Sequence, residues 1–308
     1  MKFDIIMPNS MHVLAHSPQP WEFEMNGADI ARAVAVADSL GYWKVMLGEH
    51  FIIPQSHVPL SGDHYLHSVA ALAFVATSAP RIKLSSGVSV LPLQNPIVQA
   101  KAWATLDWLS GGRAVAMFGV GWLEAEYKLL GVSFHERGRI FDEYVAAMIE
   151  LWSSDSPQFA GKYVSFSDVA MAPKPVQKPH PLLWFGGDVD NVLKRVARWG
   201  HGWSPFHTEP EKIPERLDFI RSQPDYHGRP LEVMFTLLAL NVGEAHAVIG
   251  DPRAQGTWDA QRVIDQCHWL ESLGVTETVV PVPALPDFPA YLDWLRWVAE
   301  EIMPHTPD

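Results

Sequence analysis

Strand-like and helix-like segments alternate along this chain from one end to the other, and that alternation restricts its fold more than any other feature. Short apolar runs read as buried strands at 3–8, 44–47, 82–90, 114–118, 182–185, 202–205, 232–242 and 277–282. A helical pattern follows each of them. In the first, Ile30, Val34, Ala37 and Leu40 recur every three or four residues, and Gly41 stops the helix. Eight strand–helix pairs in 308 residues lie close to the roughly 250 residues typical of a (β/α)8 TIM barrel. The expected fold class is therefore α/β, with the barrel as the leading architecture. An open doubly wound sheet stands second, because no Gly-x-Gly-x-x-Gly follows the first strand.

Composition narrows the setting. With 48% hydrophobic and 19% charged residues, the chain can bury one large core, and we expect a single barrel domain over 1–308. Two excursions interrupt the alternation. The stretch 9–26 carries His12, His16 and Trp21 and is long enough to act as a lid or pocket wall. The stretch 153–181 reads as an insertion, a small hairpin followed by a proline-studded connector. The one cysteine, Cys267, excludes internal disulfides and thiolate-rich metal sites and suits a reducing cytoplasm. The first residues, MKFDIIMPNS, do not read as a signal peptide, and no run approaches the roughly 18 apolar residues of a membrane span. A soluble, cytoplasmic protein is expected. A net charge of −12 and a pI near 5.6, without basic runs, set aside nucleic acid and anionic membranes as partners. Thirteen tryptophans belong mostly to core or interface, and some could wall an apolar pocket.

A barrel places its chemistry at the C-terminal ends of its strands. After strand four comes the turn Gly119-Val120-Gly121-Trp122, where missing Cβ atoms would let a flat ring or a phosphate approach the backbone. A tight strand-to-helix connection explains the same glycines. Strand two ends in Glu49-His50, an imidazole tunable near neutral pH beside a carboxylate. Neighbours on a strand face opposite ways, so at least one of the two is expected to be structural. Ser89-Val90 in strand three could offer backbone to a cofactor ring, although spacing alone favours a plain buried strand. Gly186-Gly187-Asp188 leads into a helix whose N-terminus could cradle phosphate, with the Asp188 carboxylate opposing it.

Other chemistries fit less well. Strand one holds Met7 and Pro8 where a metal-dependent hydrolase needs ligands, and His64 and His67 suit solvated or capping roles better than ligation. No metal is expected. Pairing Glu49, Glu124 and Glu244 as glycosidase carboxylates would be arbitrary. No Gly-x-Ser-x-Gly elbow exists, and Cys267 lies within a helical pattern.

The ordered motifs SGGR (110–113), GVGWLEAEYKLLGVSFHERGRIFDEYVAAMIELW (119–152), FAGKYVSFSDVAMAPKPVQKPHPLLWFGG (159–187) and RVARWGHGW (195–203) resemble the luciferase-like monooxygenases, especially their F420-dependent oxidoreductases. The resemblance runs nearly end to end. It implies a TIM barrel that binds F420, or alternatively FMN, across its mouth and transfers hydride. By resemblance, His50 lies against the ring as proton donor, acceptor or charge stabiliser, and Glu49 holds it. Ser89-Val90 would form a non-proline cis peptide behind the ring. Gly119, Val120, Gly121 and Trp122 would flank the ring and ribityl chain, and Gly186, Gly187 and Asp188 would take the phosphate. His12 and Trp122 would line the substrate pocket. A small-molecule substrate, a homo-oligomer (most simply a dimer) and a separate cofactor reductase are further implications.

The chain also departs from the pattern. Met117 and Phe118 stand near a position often held by glycine, which predicts a narrowed pocket. Asp188 replaces a common Ser. Pro54 and Trp122 replace the Trp and Glu of sugar-phosphate dehydrogenases, which favours an apolar or aromatic substrate. Two alternatives accompany the hydride-transfer expectation: an FMN-dependent monooxygenase using reduced flavin and O2, and a barrel that binds flavin or an apolar ligand without turnover.

Overall fold

In a closed parallel barrel each strand must serve two cores, because alternate side chains point to opposite faces. The computed structural model, which describes residues 1–12, 19–236, 260–283 and 285–306, follows that rule. Its strands are β1 (Lys2–Ile6), β2 (Lys44–Leu47), β3 (Lys83–Ser86), β4 (Ser89–Val90), β5 (Ala114–Gly119), β6 (Phe159–Ala160), β7 (Ser165–Phe166), β8 (Leu182–Gly186), β9 (Gly202–Ser204), β10 (Glu232–Val233) and β11 (Glu277–Val279). Its helices are α1 (Gly27–Leu40), α2 (Val58–Ser61), α3 (Ser68–Val75), α4 (Pro96–Ser110), α5 (Glu124–Leu129), α6 (Arg137–Ser153), α7 (Asp190–Trp199), α8 (Ile213–Ser222), α9 (Ala260–Ser272) and α10 (Phe288–Glu301).

The parallel sheet runs β10-β9-β8-β5-β3-β2-β1-β11, with β4 extending β3 against β5. A Met234–Glu277 bridge closes it, supported by Phe235 N–H donating to the Glu277 carbonyl at 3.0 Å. The barrel expectation therefore holds. Phe3, Ile5, Val45, Leu84, Ala116, Phe118, Leu183 and Phe185 point outward into the helical layer. Met46, Val115, Met117, Trp184, Met234 and Val279 fill the interior. Phe118 accordingly meets Trp103 in the outer core and does not narrow the mouth, whereas Met117 does lie inside.

Local signals set the elements. Asn26 caps α1 by accepting from Ala28 N–H at 2.8 Å, and Gly41, at φ 89°, ends it. Arg113 of the SGGR motif donates to the carbonyls of Ala76, Ala79 and Ile82, so its work is to tie the end of α3 to the sheet. The antiparallel pair β6–β7 forms a hairpin after α6, pinned by Glu143, whose carboxylate accepts from the N–H groups of Lys162, Tyr163 and Val164. The expected strand at 82–90 is divided at Gly87-Val88. The predicted strand at 232–242 is described only to Val233 and adjoining residues; its far end at 241–244, with Glu244, and His16 in the 9–26 loop lie outside the described residues. Among the described residues no helix is long and apolar enough to cross a membrane.

The lower barrel holds charges instead of aliphatics. Lys44 Nζ donates to Glu277, lies 3.2 Å from Asp4 Oδ2 and sits 3.9 Å from the Trp184 ring centroid. All three ionisable groups are buried. Burial, only partly offset by Lys44, pushes the Asp4 carboxyl well above the usual range. Burial opposes the charge on Lys44 too, but Asp4 and Glu277 outweigh it and raise its pKa. Trp184 fits across the barrel because Gly202 has no Cβ: one added there would collide with the indole.

Outside the barrel, His201 Nδ1 accepts from Leu183 N–H at 3.2 Å. Burial, with His180 and Arg229 nearby, lowers its pKa to about 4. An unfolded histidine titrates near pH 6.5, so the unfolded chain takes up this proton first as pH falls. The group's contribution to stability is full above about pH 6.5 and is lost as pH drops through about 4. His201→Gln should flatten the fall in urea midpoint between pH 7 and 4.5. An equally steep fall in the variant would assign the acid sensitivity elsewhere.

Candidate active site

The C-terminal mouth is built by the turns after β2, β4, β5, β8 and β9. His50 follows β2, and its Nδ1 lies 2.9 Å from Glu126 Oε2. Glu126 is in α5, reached through the 119–123 turn, and its carboxylate is buried. Its Oε1 also accepts from Phe51 N–H at 2.6 Å and Ile52 N–H at 3.3 Å. One buried carboxylate thus orients both the imidazole and the segment that carries it. With Nδ1–H donating to Glu126, Nε2 carries the lone pair.

This corrects the expectation that Glu49 holds His50. Glu49 is buried on the other face of the chain, accepting from Ser68 N–H at 3.1 Å and Gln94 Nε2 at 3.2 Å. The alternation of strand neighbours had required such a split. Glu126 was missed because 76 residues separate it from His50; the family-like GWLEAEY segment contains it without marking it.

Aromatic edges frame the imidazole. Tyr65 lies 4.9 Å and Trp122 5.8 Å from the His50 ring, both nearly perpendicular to it. Trp122 also leans on His57 at 5.7 Å and is 40% exposed, as a rim residue would be. Tyr65 donates to the Ser61 carbonyl, and burial beside Glu126 pushes its pKa to about 12, so it stays protonated. The exposed Ile52, Leu60, Phe206 and Val189 add apolar surface to these segments. His12, expected in the pocket wall, is buried, with Nε2 2.6 Å from Asn9 Oδ1 and its ring stacked 4.3 Å from His64. Burial and His64 lower its pKa. His67 caps α3, as its position suggested.

The cis peptide expected at Ser89-Val90 lies instead at Gly87-Val88. Ser89 and Val90 form β4, in register with Phe118 and Gly119, and the Ser89 hydroxyl faces Ser68 at 3.3 Å. The step of two residues redefines the role of the glycines. A Cβ on Gly119 would come 2.6 Å from Val88 Cγ2, and one on Gly186 2.7 Å from Val88 Cγ1. Gly121 is at φ 67°, and its Cβ would meet Val90 at 2.6 Å. These three glycines make room for the side chains of the β3–β4 bulge, which the expectation had left for a ligand. Val120 offers its carbonyl to Tyr127.

At the end of β8, Gly187 is at φ 125° and its N–H donates to the Ser204 carbonyl at 2.9 Å. Asp188 does not cap α7; Val189 holds that position without a side-chain cap. The Asp188 carboxylate turns to the next loop, where Oδ1 accepts from the N–H groups of Phe206, His207 and Thr208 and from the Thr208 hydroxyl.

The family model described as "Luciferase-like monooxygenase" matches residues 1–276. An uncharacterized protein of Mycobacterium tuberculosis is 32% identical over 189 residues, covering 58% of this chain and 67% of that protein. The FMNH2-dependent dimethylsulfone monooxygenase of Pseudomonas putida is 26% identical over 198 residues, covering 61% of this chain but only 53% of the enzyme. Among solved structures, the coenzyme F420-dependent tetrahydromethanopterin reductase of Methanopyrus kandleri superposes with a TM-score of 0.71 at 17% identity, covering 100% of this chain and 99% of that one. That likeness establishes the barrel.

Proposed function

This chain belongs to the luciferase-like monooxygenase family, and on that premise we propose that it is a flavin- or deazaflavin-dependent oxidoreductase acting on a small apolar or aromatic molecule. The observation that carries this proposal is His50, oriented by the buried Glu126 at the barrel mouth and framed by Tyr65 and Trp122. An imidazole with its tautomer set, facing aromatic edges, suits a flat ring that gains and loses hydride. When bound, the deazaflavin of F420, or alternatively FMN, supplies the hydride chemistry that no side chain can. His50 Nε2 then accepts or donates the accompanying proton, and Glu126 stabilises the imidazolium. Trp122, Ile52 and Phe206 keep the approach apolar and help exclude water.

The residues fit the two ends of such a cofactor differently. The oriented imidazole of His50 with the aromatic edges of Tyr65 and Trp122 suits a ring, whereas the Gly186-Gly187-Asp188 turn does not suit a phosphate, since the donors beside it already serve Asp188. A monooxygenase using reduced FMN and O2 is the second reading, favoured by the likeness to the dimethylsulfone monooxygenase. A small-molecule substrate, a cytoplasmic location, a homodimer and a separate reductase remain part of this proposal.

Purified protein titrated with F420, FMN and their reduced forms tests it. We expect binding of at least one, followed by turnover with an apolar or aromatic acceptor or donor. Dependence on O2 would select the monooxygenase reading. Tight binding without turnover of any substrate would leave a ligand-binding barrel, and no binding would overturn the enzyme proposals.

A further inference from the structure

At the end of β8 the chain supplies an anion of its own. Asp188 Oδ1 accepts from Phe206 N–H at 2.9 Å, His207 N–H at 3.0 Å, Thr208 N–H at 2.8 Å and the Thr208 hydroxyl at 2.6 Å. Three successive backbone N–H groups and a hydroxyl converging on one point form the donor set of a small anion site. Here a carboxylate from the adjacent strand end already fills it. A neighbouring cation is engaged as well: Arg216 Nη2 donates to the Asp188 carbonyl at 2.6 Å and to Asp190 Oδ1 at 2.9 Å. Asp190 is the first residue of α7. The Asp188 carbonyl and the Asp190 carboxylate therefore share one guanidinium where that helix begins, and an arriving phosphate would meet the Asp188 carboxylate and spent donors.

Resting on the proposal that this mouth binds a flavin or deazaflavin, we infer that Asp188 stands in for the cofactor's phosphate. The cofactor is recognised through its ring and sugar chain, and its phosphate adds little affinity. Asp188 is then a specificity residue: it joins the loop after β8 to the loop after β9 and cancels the advantage that a ligand's phosphate would otherwise bring.

The test compares each ring with and without phosphate: FMN against riboflavin, and the 5′-phosphorylated deazaflavin nucleoside of F420, without its glutamate tail, against the bare nucleoside. Dissociation constants come from fluorescence titration at fixed ionic strength, using the wild type, Asp188→Ser and Asp188→Asn. In the wild type, the phosphorylated and bare forms of the ring that binds should differ by no more than about threefold. Asp188→Ser frees the four donors and removes a charge, so it should shift the ratio about tenfold or more towards the phosphorylated form, as charge-assisted hydrogen bonds imply. Asp188→Asn keeps an acceptor for the 206–208 loop and removes only the charge. It should fold like the wild type and shift the ratio in the same direction by a smaller factor, and it decides the matter if the Ser variant does not fold. Wild-type preference for the phosphorylated form of about tenfold or more, or an unchanged ratio in the folded variants, overturns the inference and leaves the enzyme proposal standing. Failure of all four ligands to bind overturns both.

Discussion

His50→Gln lowers kcat/KM by about 10²–10⁴-fold, the range expected when a positioned proton-transfer group is lost. Glu126→Gln is the sharper test, because it leaves the imidazole in place and alters only what orients it. In the wild type Oε2 faces His50 Nδ1, while Oε1 accepts from Phe51 and Ile52 N–H. A glutamine must keep its oxygen on those two N–H donors, which turns its NH2 towards Nδ1. The imidazole then accepts at Nδ1 and carries its proton on Nε2, the reverse of the working tautomer. The expected result is a fall in kcat of about 10-fold or more with an altered pH profile and little change in cofactor affinity. A parallel loss of folding stability and activity, with the pH profile unchanged, would reduce Glu126 to a structural brace. Glu49→Gln should leave the pH profile unchanged, since Glu49 touches Ser68 and Gln94 instead.

The largest stability effect is expected at Lys44. Among the described residues, its ammonium is the one positive charge paired with the buried Asp4 and Glu277, and it lies over the Trp184 ring. Lys44→Met removes that charge and leaves Glu277 buried, with Trp43 Nε1 at 3.1 Å as a remaining donor. Breaking a buried pair from one side costs about 3–5 kcal/mol, which for a chain of this size lowers Tm by on the order of 10 °C. Adding Glu277→Gln to Lys44→Met should recover part of the loss, because the uncompensated charge goes with it. An additive double variant would show that the lost stability came from packing of the lysine stem. Thermal unfolding of the three variants at pH 7 distinguishes these outcomes.

Much of the fold was legible because it rests on local patterns. Short apolar runs, helical spacing after each, and stop signals such as Gly41 depend only on neighbouring residues, and the strands appear close to their expected positions. The boundaries that moved were moved by tertiary contacts. The run 82–90 looks continuous in sequence, but Val88 must enter the space left by Gly119 and Gly186, so the strand breaks at Gly87-Val88. Phe118 looked like bulk at the mouth; strand register sends it to Trp103 in the outer layer. The charged floor was equally hidden, since Asp4, Lys44 and Glu277 stand singly in three apolar strands separated by 40 residues or more.

The candidate site divides along the same line. From sequence alone came the barrel, the identity of its mouth and the placement of His50 and Trp122 in turns at that mouth, since each follows from where a strand ends. Tertiary structure decided which carboxylate serves His50, why the glycines of the mouth are glycines, and where Asp188 spends its charge. Those depend on pairings between distant segments: Glu126 with His50, Val88 with Gly119, Asp188 with 206–208. A hydrogen bond or a filled void has no period along the chain; it exists only once the barrel has closed and brought its strand ends together.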